Sequence, residues 1–284
     1  MNDTEIIQQR LNTYQANTLQ EEENALKEIA QEIALLALSR SDFFKLAAFQ
    51  GGTCLRILYG LNRFSEDLDF ILQNSNAEFS WQSYMKDIQE EFAAYGYTIS
   101  VQDRSKVDNV IKKAFIKDDS IGKLLVLQHK PAITKKIQIK LEIDTNPPAG
   151  SNFEIKYLDF PLPFAITTQD MPSLFASKCH ALLCREYTKG RDWYDFVWHV
   201  GKRTGINFNL LGKAIYQMGP WHNQPNTINK NWLIEQLTKK IKTMDWEIAK
   251  NDVSRFLKPR EAETLKLWTT DFFLHQTGNL KDYL

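Results

Sequence analysis

The amino-acid sequence predicts an α+β protein in which a mixed sheet with flanking helices is followed by an all-α C-terminal domain. Between residues 97 and 144, segments rich in Val and Ile alternate apolar and polar positions, as strands do. Before and after this region, apolar residues recur at helical spacing. A proline-containing stretch over residues 146–169 separates the two patterns. We therefore expect two domains in the 284 residues, 1–160 and 161–284.

The first half opens with an amphipathic helix over residues 18–39, behind a possible capping box of Thr18 and Glu21. After the pair Gly51–Gly52, apolar spacing predicts a short helix that ends at Gly60. A further helix is predicted over residues 80–96. The predicted strands are 67–72, 97–102, 109–117, 123–129 and 135–144. The predicted helical segments of the second half are 171–187, 190–203, 231–257 and 260–275.

Charge and cysteine content exclude several classes of protein. Lys plus Arg equals Asp plus Glu at 35 each, so there is no global charge argument for nucleic acid or an anionic membrane. The three cysteines show no paired spacing, as expected in a reducing compartment. No apolar run approaches the length of a membrane span, and the N-terminus lacks a signal-peptide pattern. We expect a cytoplasmic protein without a membrane partner.

Two aspartates alternate in the predicted strand DLDFIL. On a strand Asp67 and Asp69 share one face, with Cα atoms about 6.5 Å apart. A pair of divalent cations would neutralise two such carboxylates and orient a phosphate, and Mg²⁺ prefers oxygen ligands. A solvated strand face is the simpler interpretation of an isolated D-x-D.

Glycines just upstream favour the functional interpretation. Gly51 and Gly52 precede a helix start, where backbone N–H groups and the helix dipole can hold a phosphate, and Thr53 adds a hydroxyl. Neither a P-loop nor a dinucleotide-binding glycine motif is present. The order of strand, Gly-Gly, helix and D-x-D strand predicts a phosphate and metal site.

A third carboxylate is available on the strand KIQIKLEID. Lys140, Glu142 and Asp144 share one face of it. A two-metal site commonly uses a carboxylate from a neighbouring strand, for which Glu142 is the first choice and Asp144 the second. A surface face on an edge strand is the alternative.

In the helical half, Lys178 and Arg185 lie seven residues apart and nearly superpose on a helix, where they could reach a triphosphate. Arg191 and Asp195 have the spacing of a simple ion pair, and Asp192 lies between them. Cys179, His180 and Cys184 match no zinc spacing.

The motifs FQGGTCLRILYGLNRFSEDLDF, KLEID and SKCHALLCREYTKGRDWYDF, in this order, resemble the AbiEii/AbiGii toxin family of nucleotidyltransferases, relatives of the DNA polymerase β-like superfamily. The resemblance covers about residues 49–196. It implies a nucleotidyltransferase-like sheet and a helical C-terminal domain that completes the active site. The sequence has Gln50 where the family usually has Lys.

The resemblance also implies roles for individual residues. Those implied to bind the nucleotide are Gly51, Gly52, Thr53, Ser65, Lys178, Arg185, Arg191 and Asp192. Those implied to be catalytic are Asp67, Asp69, Glu142, Lys178 and Asp195, with Asp67, Asp69 and Glu142 as ligands of a two-metal Mg²⁺ site.

We therefore expect a Mg²⁺-dependent nucleotidyltransferase that moves an NMP from an NTP to an acceptor hydroxyl. The resemblance implies the toxin of a toxin–antitoxin or phage-defence system, with tRNA as a possible acceptor and a cognate antitoxin as a possible partner. The alternatives are a small-molecule or protein acceptor, or a non-catalytic nucleotide- or partner-binding protein on the same scaffold.

Overall fold

The structure is a computed structural model that describes residues 3–106, 109–120, 125–129, 137–224 and 227–284. Its residues group into two compact units. The first unit comprises residues 1–60, 64–147 and 154–168. The second unit comprises residues 61–63, 148–153 and 169–284. Cys54, Cys179 and Cys184 are free thiols. None of the helices among the described residues is long and apolar enough to cross a lipid bilayer.

The first half of the chain alternates helices and strands. Its helices are α1 (Asp3–Thr13), α2 (Leu19–Ser39), α3 (Phe43–Leu46), α4 (Gly51–Tyr59) and α5 (Gln82–Ala94). Its strands are β1 (Ala47–Gln50), β2 (Asp67–Leu72), β3 (Ile99–Asp103), β4 (Ile111–Asp118), β5 (Ile137–Asp144), β6 (Phe153–Leu158) and β7 (Phe164–Gln169).

The seven strands form one mixed sheet in the order β3-β4-β5-β2-β1-β7-β6. Strand β2 pairs antiparallel with β1 and parallel with β5, and β4 pairs antiparallel with both β3 and β5. This arrangement confirms the predicted mixed sheet. Strands β6 and β7 are absent from the sequence prediction, because they lie in the proline-containing stretch that separates the two sequence patterns.

The core of the first unit is rich in aromatic side chains. The apolar residues of β2 pack into this core, so the residues that alternate with them face the other way. Phe43 stacks on Trp81 at 5.5 Å and meets Phe70 edge-on at 4.9 Å. The indole N–H of Trp81 donates to the carbonyl of Lys112 on β4 at 3.2 Å, which satisfies the polar atom of a fully buried ring. With Phe70 on this core, its neighbours Asp67 and Asp69 are left on the opposite, half-buried face of β2.

Three local signals behave as predicted, and one fails. The Thr18 side chain accepts from the N–H of Glu21 at the start of α2, and α4 ends at Gly60, which has φ +75°. Strand β2 spans the predicted DLDFIL. The strand predicted over 123–129 is wrong for residues 125–129, which form bends and irregular chain. Residues 123 and 124 lie outside the described residues. Leu125 and Leu127 are buried and Val126 is exposed, as in a strand, but the backbone N–H groups of Val126 and Gln128 donate to the side chains of Gln8 and Glu22.

The second unit is helical, as the all-α C-terminal prediction requires. Its helices are α6 (Met171–Cys184), α7 (Gly190–Gly201), α8 (Phe208–Gln217), α9 (Lys230–Lys242), α10 (Trp246–Ser254), α11 (Pro259–Ala262) and α12 (Thr270–Asn279), with 3₁₀ turns at Glu263–Leu267 and Leu280–Asp282. The segment 231–257 contains two helices instead of one, because Asp245 caps the start of α10 through the N–H groups of Glu247 and Ile248. The core includes Trp246, which stacks on Phe273 at 3.9 Å.

Candidate functional site

The turn between β1 and α4 brings a helix start against a carboxylate. Gly51 adopts φ +80°, a conformation that glycine reaches without steric cost. A Cβ atom at this position would lie 2.5 Å from Oδ2 of Asp69. The absence of a side chain at Gly51 therefore lets the Asp69 carboxylate lie directly against the first turn of α4.

Thr53 holds this turn onto the neighbouring strand. Its side chain is fully buried, and its hydroxyl donates a hydrogen bond to the backbone carbonyl of Asp67. The first N–H groups of an α-helix have no partner within the helix, so Gly51, Gly52 and Thr53 present donors at the start of α4. The Thr53 hydroxyl, predicted to face a phosphate, therefore donates its hydrogen bond to the protein backbone.

Asp67 and Asp69 lie on one face of β2, where the register aligns each with a charged residue of β5. Asp69 is opposite Glu142, and Asp67 is opposite Lys140. On the other side Asp69 is opposite Gln50 of β1. A lateral row of polar side chains therefore crosses the middle of the sheet at Asp69.

Two lysines extend this row and neutralise part of its charge. Lys140 Nζ lies 2.7 Å from Oε2 of Glu142 and 3.9 Å from Oδ2 of Asp67. Lys113 Nζ, from β4, lies 3.1 Å from Oε1 of Glu142. Although burial acts in the opposite direction, the hydrogen bonds from Lys140 and Lys113 hold the pKa of Glu142 below its usual range. Both Glu142 oxygens thus have a lysine partner.

Asp144, the second choice for the third carboxylate, has a different environment. Burial raises its pKa, and its Oδ1 accepts from the backbone N–H of Asn146 at 2.9 Å. Its register partner on β2 is Ile71, whereas that of Glu142 is Asp69. Asp144 therefore caps the turn after β5, and Glu142 is the carboxylate aligned with the aspartates.

The loop before β2 and the end of β1 complete the surroundings. The carbonyl of Ser65 accepts from Nε2 of Gln31 at 3.0 Å, and Lys27 pairs with Glu66 at 3.2 Å, so α2 anchors this loop. Gln50 donates from Nε2 to the carbonyl of Phe70 at 3.4 Å, a weak contact. No positive charge therefore stands at position 50, opposite Asp69.

The second unit contains a separate, deeply buried cluster of charges. Asp195 accepts two hydrogen bonds from Arg63, at 2.6 and 2.7 Å, in a bidentate arrangement. Lys178 Nζ lies 2.7 Å from Asp195 and 2.9 Å from Asp192. Arg185 closes the cluster at 2.7 Å from Asp192. We call these five residues the buried ion cluster.

Opposite charges set the pKa values in the buried ion cluster. Burial alone would raise the pKa of both carboxyl groups, but Lys178 and Arg185 hold the pKa of Asp192 far below its usual range. Arg63 and Lys178 likewise lower the pKa of Asp195 against the effect of burial. Both aspartates are therefore ionised near neutral pH, when they hold the three cations.

A pocket of about 140 Å³ borders the cluster at the end of α6. Arg185, Lys189 and Lys240 contribute positive charge to its lining. Burial lowers the pKa of Lys189 to about 8, and the attraction of Asp192 offsets only part of this effect. The pocket is thus lined by more cations than its carboxylates neutralise, an environment suited to an anion.

Arg191, also on α7, contacts residues outside the buried ion cluster. Its backbone N–H donates to Asp252 at 3.3 Å, and its guanidinium lies over the ring of Phe256, 4.4 Å from the centroid. The sequence spacing allowed an ion pair between Arg191 and Asp195. In the structure, the carboxylate of Asp195 pairs with Arg63 and Lys178.

Sequence patterns did not single out three charged residues that the structure places beside predicted ones. Lys113 occupies a polar position of a predicted strand, but its place opposite Glu142 depends on the register of β4 and β5. Arg63 is 132 residues away from Asp195. Arg63 and Lys189 both fall within the quoted motifs, so the motifs themselves were the available signal.

The candidate ligands are of the type that binds hard divalent cations such as Mg²⁺. Among the described residues, no group of three or more His, Cys, Asp or Glu side chains is gathered closely enough to hold a metal ion. Asp67 and Asp69 nevertheless supply hard carboxylate oxygens, and Mg²⁺ usually takes only one or two protein carboxylates, with waters and substrate phosphates as its other ligands. The pair therefore fits Mg²⁺, whereas Glu142 is already bound by two lysines.

A mixed sheet with a glycine turn against paired aspartates, together with a helical second unit, defines the class of nucleotidyltransferase-like proteins. The family model described as "Nucleotidyl transferase AbiEii toxin, Type IV TA system" matches residues 33–275, and the chain belongs to this family. The family assignment confirms the resemblance of the motifs. No curated protein matches the chain.

Two solved structures share the fold. JHP933 from Helicobacter pylori has a TM-score of 0.54 and 16% identity, over 92% of this chain and 93% of that one. A candidate nucleotidyltransferase from H. pylori has a TM-score of 0.52 and 15% identity, over 91% and 95% of the two chains. At these identities the comparison supports the fold alone.

Proposed function

We propose that this protein is a Mg²⁺-dependent nucleotidyltransferase that transfers an NMP from an NTP to an acceptor hydroxyl. The observation that carries the proposal is the close approach of the Asp69 carboxylate to the Gly51 turn, because it brings a helix start and a carboxylate face together. Membership of the AbiEii family supports nucleotidyl transfer as the chemistry.

In this proposal the backbone N–H groups of Gly51, Gly52 and Thr53 bind the nucleotide phosphates, favoured by the dipole of α4. Asp67 and Asp69 would hold Mg²⁺, which would supply charge neutralisation and orientation of the triphosphate. Lys140 holds Glu142 and stays near Asp67, so it limits repulsion among the carboxylates.

The reaction forms one bond from oxygen to phosphorus and breaks another. The acceptor oxygen attacks the α-phosphorus, the bond from that phosphorus to the bridging oxygen breaks, pyrophosphate leaves, and the hydroxyl proton passes to water. Positioning and electrostatic stabilisation would supply most of the rate enhancement. The residues carry no covalent intermediate in this scheme.

The roles implied for the second unit remain predictions. Arg185 and Lys189 border a cationic pocket and are the residues best suited to an anionic group. Lys178, Asp192 and Asp195 are engaged with one another and with Arg63, so we assign them first to positioning Arg185 and α7. A direct role of Lys178 at the triphosphate, of Asp195 in catalysis, or of Arg191 and Asp192 in nucleotide binding is a prediction of the family resemblance.

We further propose that the protein acts in the cytoplasm as a toxin whose acceptor is tRNA or another hydroxyl compound. The family's description as a Type IV toxin–antitoxin system supports an antitoxin as its partner. Partition of label among RNA, protein and small-molecule fractions would identify the acceptor class.

Asp69→Asn tests the transferase proposal. We expect label transfer from an α-labelled NTP to fall by roughly 10²–10³-fold. The substitution removes the negative charge of Asp69, which in our proposal helps to bind the Mg²⁺ that neutralises the triphosphate. Asp87→Asn, at an exposed position of α5, is the matched control and should keep full transfer. Full activity of Asp69→Asn with an unchanged Mg²⁺ requirement would rule the proposed site out.

A further inference from the structure

Strand β6 forms one end of the described sheet. It pairs with β7, and no strand in the described ranges pairs with its outer edge. An exposed edge presents unpaired N–H and C=O groups that can receive another strand, and proteins usually protect such edges by bulges, prolines or a covering element. The central residues 154–157 of β6 contain no proline and no glycine.

The side chains of β6 make this edge apolar on one face. Ile155 is 64% exposed and Tyr157 is 76% exposed, and both belong to the same face because strand residues alternate. Single exposed apolar residues are ordinary, but two successive ones along an unpaired edge indicate a surface that becomes covered.

Charged residues occupy the other face and compensate each other. Glu154 accepts from the hydroxyl of Tyr59 at 2.6 Å, and its Oε2 lies 3.3 Å from Nζ of Lys156. Lys156 Nζ lies over the Tyr59 ring, 5.1 Å from the centroid. These contacts hold both charged side chains on the α4 side of β6, so the strand carries no net charge that would repel an identical strand.

About Ile155, the sequence of β6 has an aromatic residue at equal distance on both sides and opposite charges between them. From Phe153 to Tyr157 it reads aromatic, acidic, aliphatic, basic, aromatic. We propose that β6 pairs antiparallel with β6 of a second copy of this chain, in a register centred on Ile155, to form a homodimer with a continuous sheet. A two-fold axis through this register is the isologous arrangement most common in dimers.

Only this register satisfies the charges. Centred on Ile155, it places Glu154 opposite Lys156 of the second copy and Ile155 opposite its own equivalent. A register centred on Glu154 or on Lys156 would place like charges directly opposite each other, which is unfavourable. A slip of one residue would bring the charged face of one strand against the apolar face of the other.

The first measurement is the mass in solution. Because the paired strand is short, we expect a dimer that dissociates on dilution, seen in sedimentation velocity as a rise from the 33.0 kDa chain mass to twice that value with increasing concentration. A mass that stays at 33.0 kDa up to the highest attainable concentration overturns the proposal, and leaves a strand of another protein as the remaining occupant of the edge.

Charge reversal tests the register. Glu154→Lys places like charges opposite each other twice per dimer, so we expect its dissociation constant to rise by roughly tenfold or more. The double variant Glu154→Lys with Lys156→Glu should restore dimerisation, because it exchanges the two charges. Thermal melts of both variants exclude unfolding as the cause. A double variant that is as monomeric as the single one, while equally folded, contradicts the register.

Cross-linking provides a matched pair of probes. In the proposed register Ile155→Cys meets its own equivalent, whereas Tyr157→Cys lies opposite position 153 and far from its equivalent. Oxidation should therefore link Ile155→Cys chains and leave Tyr157→Cys chains largely unlinked, although both positions are exposed. The unmodified chain, with its three cysteines, measures the background. Equal or reversed linking of the two variants would refute pairing through β6.

Discussion

The charged residues on the sheet of the first unit and those of the buried ion cluster differ in their exposure to water. On the sheet of the first unit, the Asp67 side chain is 33% exposed and that of Glu142 is 20% exposed. In the buried ion cluster of the second unit, Asp195 is fully buried and Asp192 is 3% exposed. The first group remains in contact with water, as our proposed binding face requires, whereas water around the second is replaced by fixed partners. Exposure, more than residue type, is what distinguishes these two groups.

The energetic consequences of a substitution should therefore differ between the two groups. Removing one partner of a buried ion pair leaves an uncompensated charge in a region of low dielectric constant, which is costly. Removing a half-exposed carboxylate leaves its partners accessible to water, so stability changes little. The same chemical change should thus affect folding in one unit and ligand binding in the other.

The largest effect is expected at Asp195. Asp195→Ala leaves Arg63 and Lys178 buried without this carboxylate, so we expect the free energy of unfolding to fall by about 3–5 kcal/mol, measured by urea denaturation. Glu235→Gln removes one partner of the exposed pair with Lys239. It should change the free energy of unfolding by less than about 0.5 kcal/mol. Equal effects of the two substitutions would contradict the distinction between buried and exposed pairs.

Gly51→Ala tests the contact that carries the proposed function. Gly51 and Gly60 both have positive φ, but only at Gly51 would a Cβ meet another group, the Asp69 carboxylate. We expect Gly60→Ala to cost about 1 kcal/mol from the left-handed backbone alone. Gly51→Ala should cost about 2–3 kcal/mol and lower transfer of labelled nucleotide, because the carboxylate must also move.

Thermal denaturation together with the label-transfer assay separates these two effects. A Gly51→Ala protein with the stability of Gly60→Ala and full transfer would show that the close approach to Asp69 is unimportant.

Lys189 provides a pH test in the second unit. Its pKa is lowered to about 8 in the folded protein by burial, so the unfolded chain binds this proton more tightly. Protonated Lys189 therefore destabilises the fold below about pH 8, and this penalty disappears as pH rises from about 8 to about 10.4, the pKa in the unfolded chain.

We expect Lys189→Met to raise the free energy of unfolding at pH 7 by roughly 1–3 kcal/mol, with a gain that shrinks at alkaline pH. Urea titrations of both proteins at pH 7 and at higher pH measure this difference in the free energy of unfolding. A gain independent of pH would point to packing of the methionine instead of charge.

The smallest effect is expected at Gln50, which lies opposite Asp69 in the register of β1 and β2. Gln50→Lys places a cation beside the proposed phosphate site, so we expect the KM for NTP to fall by roughly threefold to tenfold, equivalent to about 1 kcal/mol. Gln50→Met controls for loss of the amide. An unchanged KM in Gln50→Lys would show that position 50 does not contact the nucleotide.

Sequence patterns predicted local elements better than long-range pairings. The helix cap at Thr18, the helix end at Gly60 and the extent of β2 follow from residues within a few positions of one another. The sequence analysis predicts neither β6 nor β7, because prolines are typical of breaks between elements, although the structure places all prolines of residues 146–169 outside the two strands. The apolar segment at residues 125–129 failed in the opposite way, because its residues alternate in burial like a strand while its backbone N–H groups at Val126 and Gln128 bond to the side chains of Gln8 and Glu22.

The sequence by itself determined the glycine turn, the alternation that places Asp67 and Asp69 on one face, and the family to which the chain belongs, because each depends on residues close together in a motif. Only the tertiary structure decided that Lys113 of β4 also holds Glu142, and that Arg63 pairs with Asp195. Those pairings depend on strand register and on contacts between distant segments. They arise when whole elements pack, and no local spacing encodes them.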